Sequence, residues 1–319
     1  HAFNREDIEE FLNQPAYTGA NKNELLKEFT EALHLMQQAQ NLGSVMIFDL
    51  GKDTRARINA CYTHWKKQFA ENKLDLNQQA WWLNLEQYLE PLLLLMQQYT
   101  CIAANPPYMG QKSMNGELKN YVNKNYLKSR SDLFAVFMEI ALNMCKQNGF
   151  VGMINQQSWM FLSSFEDLRR TIIETTTIEN MLHLGPRTFD ELSGEIVQST
   201  AFVLCKHWSE NSTGNYFRLV DYKSSEEKHH KFLLRYNLHS NIPQANFFKI
   251  PCQPIAYWIS IRTLRLFDSE ETLDKISPAR IGMMTTDNER FIRNWEGVSL
   301  KTIGFNFNDR SQAKESQYK

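Results

Sequence analysis

The sequence predicts an α/β fold: the carboxyl part of a mostly parallel, doubly wound sheet that ends in an antiparallel hairpin and follows a helical segment. Three observations predict it. An apolar run, Thr100-Cys-Ile-Ala-Ala104, stops at Asn105-Pro106-Pro107-Tyr108, as a buried parallel strand stops at a rigid turn on the carboxyl edge of its sheet. Beyond that turn, helical and strand patterns alternate as far as Tyr222. Before it, residues 1–98 carry apolar positions mostly at helical spacing.

In the amino-terminal part, Arg5 to Leu12 and Asn23 to Gln40 read as helices, with Asn23 as a cap and Gly43 as a stop. Pro15, Gly19 and Asn21 break the chain between them. Ser44 to Asp49 is a short apolar run with strand character. Asp49 reads either as a cofactor contact at a strand end or as a plain surface turn. Arg55 to Ala70 and Gln78 to Gln98 are two further helices, and the Trp81, Trp82, Leu85, Leu89, Leu92, Leu93 and Met96 stripe of the second suits a core.

At the turn, two prolines remove two N–H donors and hold Asn105 and Pro106 out of the helical region. The Asn105 carboxamide and the Pro106 carbonyl can then aim two acceptors at one external group, and an amine with two hydrogens suits the pair. An ordinary strand-ending turn has the same spelling. Lys112 to Arg130 follows, a stretch with five basic residues (Lys112, Lys119, Lys124, Lys128, Arg130), one acidic residue, Glu117, and Tyr121 and Tyr126 interleaved. It reads as a phosphate-tracking loop or as a solvated charge run.

Asp132 caps an apolar helix from Leu133 to Gln147, ended by Gly149. Phe150 to Ile154 is a strand, Ser164-Phe-Glu-Asp167 resembles a capping box that opens a helix to Glu174, and Ile178 to Leu184 is the next strand. Arg187 to Glu195 is a polar loop. Val197 to His207 and Asn215 to Tyr222 read as the terminal hairpin, turned at Asn211-Ser-Thr-Gly214.

With 319 residues, 42% hydrophobic and 22% charged, the chain has room for two domains and a sizeable core. A formal net charge of −1 excludes no partner, because a nucleic-acid enzyme can be neutral overall and basic along one groove. The longest uncharged span, Pro91 to Gln111, is interrupted by glutamines, Asn105 and the prolines, so it does not read as a membrane helix. Five scattered cysteines without a C-x-x-C pair read as reduced thiols of a cytoplasmic protein, with no zinc site. No phosphate loop, H-E-x-x-H helix or G-x-S-x-G elbow is present.

Asn-Pro-Pro-Tyr resembles the signature turn of S-adenosylmethionine-dependent amino-methyltransferases. The wider phrasing, Ala103-Ala-Asn-Pro-Pro-Tyr-Met-Gly110 followed by Leu127-Lys-Ser-Arg-Ser-Asp-Leu-Phe-Ala135, is similar to that of the PglX-type adenine-specific methyltransferases of BREX systems. The resemblance implies a Rossmann-like methyltransferase sheet, adenine N6 methylation of double-stranded DNA with S-adenosylmethionine, host-DNA marking in phage defence, and other phage-defence proteins as partners. It implies Asn105, Pro106, Pro107 and Tyr108 as catalytic residues, and Asn105, Asp132 and Phe134 as cofactor contacts. Tyr108, Lys119, Lys124, Lys128, Arg130 and Phe202 would contact DNA, with Phe202 either stacking on an extruded base or facing inward as a core residue.

One departure stands out: no G-x-G occurs among the 13 glycines, so the cofactor turn of such enzymes is expected before His1 or has been lost, and the chain reads as a fragment with weak or no cofactor binding and no turnover unaided. The expected division is a helical segment at 1–98, a catalytic core at 99–222, and a linker with the start of a target-recognition region at 223–319. That region includes Phe248 to Trp258 and Ile281 to Asn288 with Phe291. Methylation of protein glutamine or RNA, and a non-catalytic DNA-binding or assembly role, remain open at this level.

Overall fold

The strand that leads to Asn105, β1 (Tyr99–Ala104), lies at one edge of a six-stranded sheet ordered β1-β2-β4-β3-β5-β6. The other strands of the sheet are β2 (Cys145–Gln156), β3 (Thr177–Gly185), β4 (Ser199–Cys205), β5 (Thr213–Arg218) and β6 (Leu238–Pro243). The structure, a computed structural model, describes residues 3–17, 19, 21–189 and 197–267, with positions 277, 297–299, 301, 304 and 312. Residues 1–268 form one compact unit and 269–319 a second, and the elements below belong to the first. The segment Ile281 to Asn288 with Phe291 lies outside the described residues, as do Gly194 and most of its loop.

The helical layer is α1 (Arg5–Asn13), α2 (Lys22–Met36), α3 (Ala39–Leu42), α4 (Lys52–Ala70) and α5 (Leu76–Met96). α5 begins at a capping box: the Asp75 side chain accepts from the N–H groups of Asn77 and Gln78, and the Gln78 side chain accepts from Asp75 N–H. Its aromatic stripe is core: Trp82 stacks on Trp65 of α4 at 6.1 Å, and both are fully buried. Ser44 to Asp49 forms no strand. It is a 3-10 turn, Gly43–Val45, followed by extended chain that pairs with no strand of the sheet, and Asp49 is exposed there.

Between β1 and β2 come α6 (Gly116–Asn125) and α7 (Leu133–Met144). The basic stretch is therefore largely helical, because Asn115 caps it through Leu118 N–H at 2.8 Å and Leu118 and Val122 face the core of the helical layer. α8 (Glu166–Thr175) links β2 to β3. The capping box expected at Ser164 does not form; a 3-10 turn, Ser163–Phe165, leads in without a side-chain cap. Met153, Ile178, Met181, Phe202 and Leu204 pack beneath α7 and α8 in the second core.

The expected terminal hairpin does not form, because β4 and β5 are not paired with each other. β4 is antiparallel to both β2 and β3 and lies between them, while β5 runs parallel to β3 on its far side. Two hydrogen bonds hold the crossing between β4 and β5: Thr177 Oγ1 donates to His207 O at 2.6 Å and contacts Ser212 Oγ at 2.8 Å. Gly214 is not a turn residue; a Cβ there would stand 2.1 Å from Ile178 O, so glycine permits a close strand approach. β5 instead pairs antiparallel with β6. After it come α9 (Ser225–Leu233), which precedes β6, and α10 (Ile261–Leu264). No helix among the described residues is long and apolar enough to cross a membrane.

Candidate active site at the carboxyl edge

β1 and β2 run parallel, with Ala104 opposite Met153, so Asn105 emerges at the carboxyl edge beside the end of β2. Asn105 is exposed, Pro106 is buried and Pro107 is exposed. The Asn105 carboxamide takes no hydrogen bond among the described residues, so its oxygen is available to an outside donor. The corner is neither packed shut nor turned inward.

Tyr108 is half-buried. Its hydroxyl donates to Ile154 O at 3.3 Å and its ring meets Phe134 edge to face at 6.2 Å. Burial raises the hydroxyl's pKa, and the neighbouring Ser199 hydroxyl acts in the opposite sense. Asp132 fastens the corner from the other side: its Oδ1 accepts from Met109 N–H at 2.9 Å and from Phe134 N–H at 3.3 Å, capping α7. Burial raises the Asp132 carboxyl's pKa and the backbone donors lower it. Leu133 N–H donates to Met109 O at 3.0 Å and closes the same junction.

Of the residues expected at the cofactor, only Asn105 is exposed and unengaged. Asp132 gives one oxygen, Oδ1, to two backbone donors while its Oδ2 takes no hydrogen bond among the described residues, and Phe134 is fully buried against Tyr108 and Phe165. Phe202 is 3% exposed and packs against Trp159 at 5.2 Å, so in this arrangement no base reaches its face. An exposed aromatic on the same edge is Phe189, four residues past the end of β3. Sequence reasoning passed over it because it sits in a polar stretch with no period.

Lys119, Lys124, Lys128 and Arg130 are all exposed on the excursion between β1 and α7. Lys128 Nζ donates to Thr171 Oγ1 at 3.0 Å, and none of the four forms an ion pair within the described residues. The excursion is pinned to the helical layer by Tyr126, whose hydroxyl donates to Val45 O at 2.6 Å, and by Tyr121, whose hydroxyl accepts from Ile47 N–H at 2.8 Å.

Another group at this edge went unread. His183 near the end of β3 is buried between Gln157 and Tyr257, with Trp258 stacked on it at 5.9 Å. Burial, and then the charge of Arg218, push the His183 pKa down to about 4. Its members are separated by up to a hundred residues in sequence, so no local spacing reveals them. Among the described residues, no three His, Cys, Asp or Glu side chains gather as a metal set.

Residues 12–189 match the family model of the Eco57I restriction-modification methylase. The adenine-specific methyltransferase BrxX of Escherichia coli O9:H4 (strain HS) is 37% identical over 279 residues, covering 87% of this chain and 22% of that protein. The adenine-specific methyltransferase PglX of Lacticaseibacillus casei (strain Zhang) is 45% identical over 217 residues, covering 66% of this chain and 18% of that protein. The chain thus spans about a fifth of the length of these relatives. A nuclease-deletion mutant of the Type ISP restriction-modification enzyme LlaGI, solved with a DNA substrate mimic, superposes with a TM-score of 0.39 at 14% identity, covering 72% of this chain and 28% of that one.

Proposed function

This chain belongs to the Eco57I restriction-modification methylase family, and from that premise we propose that it supplies the base-binding side of a DNA adenine-N6 methyltransferase that marks host DNA in phage defence. The observation that carries the reading is the Asn105-Pro106-Pro107-Tyr108 corner, presented at the carboxyl edge with the Asn105 carboxamide exposed and unpartnered.

Adenine N6 is a weak nucleophile because its lone pair is shared with the ring. Two acceptors, Asn105 Oδ1 and the Pro106 carbonyl, grip its hydrogens and favour the pyramidal nitrogen of the transition state over the flat one of the ground state. The corner works by geometry, so Pro106 and Pro107 contribute stiffness and Asp132 fixes where the turn ends. Because a base inside a duplex is out of reach, the target is everted, and Tyr108 with Phe189 lines the place it enters. Phe189, exposed on this edge, is better able to meet such a base than the buried Phe202. Lys119, Lys124, Lys128 and Arg130 track phosphates beside that place.

S-adenosylmethionine is the proposed methyl donor. The described residues do not fit a complete cradle for it: Asn105 and the second oxygen of Asp132 are free to meet it, but Phe134 is buried, and no glycine-rich turn follows a described strand. The edge of β1 beyond Tyr99–Ala104 pairs with no described strand and bears no charge. An unpaired strand edge without charge is a ready template for another strand, and we assign that edge to a further segment of the longer protein, which brings the cradle.

Tritiated methyl transfer from S-adenosylmethionine to DNA, RNA and protein by the full-length protein tests this reading. Label on DNA adenine alone supports it; label on RNA or on protein glutamine, or no label at all, rejects it.

A further inference from the structure

The carboxyl edge holds a directional chain of hydrogen bonds that the proposed reaction leaves unused. The Tyr257 hydroxyl lies 3.0 Å from His183 Nδ1, and His183 Nε2 lies 2.7 Å from Gln157 Oε1. Since an amide oxygen only accepts, Nε2 carries the proton and Nδ1 accepts from Tyr257. Gln157 continues the chain: its Nε2 donates to Gln198 Oε1, and its backbone N–H donates to Gln198 O at 2.8 Å.

The places joined are informative. His183 stands two residues before Gly185, the last residue of β3, and Gln198 immediately precedes β4. Together they are the two roots of the connection that carries Phe189. Gln198 is also next to Ser199, the neighbour of the Tyr108 hydroxyl. Tyr257 is held in turn, stacked on Tyr216 at 4.7 Å.

The buried Arg169 guanidinium secures the arm that carries Tyr257, residues 250–258. It donates to the carbonyls of Trp159 and Leu162 in the turn after β2, and to those of Cys252 and Gln253. The last two residues have φ of +61° and +47°, left-handed values that non-glycine residues adopt only when held. Ile255 N–H donates to Met160 O at 3.0 Å. The arm and the turn carrying Gln157 are therefore one fastened body.

We propose that Tyr257, His183 and Gln157 are positioning residues for the target base: the chain they form sets both roots of the Phe189 connection against the wall beside Tyr108. The inference rests on the adenine-methylation reading above. Its consequence is that residues 250–258, remote in sequence from Asn105, govern how well an everted base is seated.

Tyr257→Phe in the full-length protein removes one hydroxyl and keeps the ring that stacks on Tyr216. It is expected to lower kcat for methyl transfer by about 10- to 100-fold, the scale of a small misplacement of a reacting group, while KM for DNA stays at the wild-type value and the thermal midpoint falls by only a few degrees, the cost of one buried acceptor left unpaired. A 2-aminopurine placed at the target position is expected to gain less fluorescence than with the wild type. Gln157→Leu, which breaks the chain on the other side of His183, is expected to give the same split.

Wild-type kcat and wild-type 2-aminopurine signal in both variants would overturn the inference. A drop in thermal midpoint with parallel loss of DNA binding would also overturn it, because the chain would then be holding the fold alone. A wild-type protein that methylates no DNA would instead remove the reading beneath it, an outcome recognisable before any variant is made.

Discussion

Asp132 Oδ1 accepts the backbone N–H of Met109 at 2.9 Å across 23 residues of sequence, while the same oxygen caps α7 through Phe134 N–H at 3.3 Å. One carboxylate oxygen therefore closes the excursion that carries the basic helix and fixes the end of the Asn-Pro-Pro-Tyr corner. Removing it in Asp132→Ala abolishes a helix cap and a long-range hydrogen bond, at about 2 kcal/mol in all. Urea unfolding is expected to show that loss, with most of it restored by Asp132→Asn, whose amide oxygen accepts the same bonds.

Phe189 and Phe202 are expected to separate stability from function. Phe202→Ala opens a cavity against Trp159 and should cost about 3–5 kcal/mol, seen as a large fall in the thermal midpoint. Phe189→Ala removes an exposed ring and should leave the midpoint within a degree or so, since surface changes typically cost under about 0.5 kcal/mol. Its effect is expected in methyl transfer and in the fluorescence of a 2-aminopurine target.

The same two residues show what sequence could convey. β1, its proline stop, α7 and the strand–helix–strand order were all legible, because each is written locally as a period, a cap or a breaker. The order of strands in the sheet was not. Nothing in Ser199–Cys205 distinguishes a hairpin arm from a strand threaded between β2 and β3, and Gly214 reads as a turn until its approach to Ile178 is known. The face of Phe202 stayed open between core and base until its burial against Trp159 decided for the core, and the exposure of Phe189 on this edge depends on where β3 ends, which no local period marks.

His183 gives a pH signature. The unfolded imidazole takes a proton as pH falls through about 6.5, whereas the folded one stays neutral down to about 4, being buried and facing Arg218. Its contribution is thus complete above about 6.5 and is lost as pH drops through that window, on the order of 3 kcal/mol in total. Comparing urea midpoints of wild type and His183→Gln from pH 7.5 to 4.5 should show a shallower acid decline in the variant; parallel curves would contradict the burial of a neutral imidazole.

The basic excursion should act through charge alone. Replacing Lys119 and Lys124 by alanine is expected to weaken binding to every DNA sequence alike and to reduce the slope of log K against log salt by about 1 for each phosphate left unneutralised. Filter binding between low and moderate salt reads both effects. Weakening that depended on the DNA sequence would show that these lysines touch bases.

In the proposed reaction Asn105 and Pro106 stabilise a reacting amine without contributing much to DNA affinity. The most direct measurement is methyl transfer and DNA binding by full-length Asn105→Ala beside the wild type. Transfer is expected to fall at least about 100-fold, the scale seen when a preorganised hydrogen-bonding group is removed from a transition state, while the dissociation constant for DNA changes less than about threefold. Transfer that persists near the wild-type rate, or transfer and binding that fall together, would contradict the account.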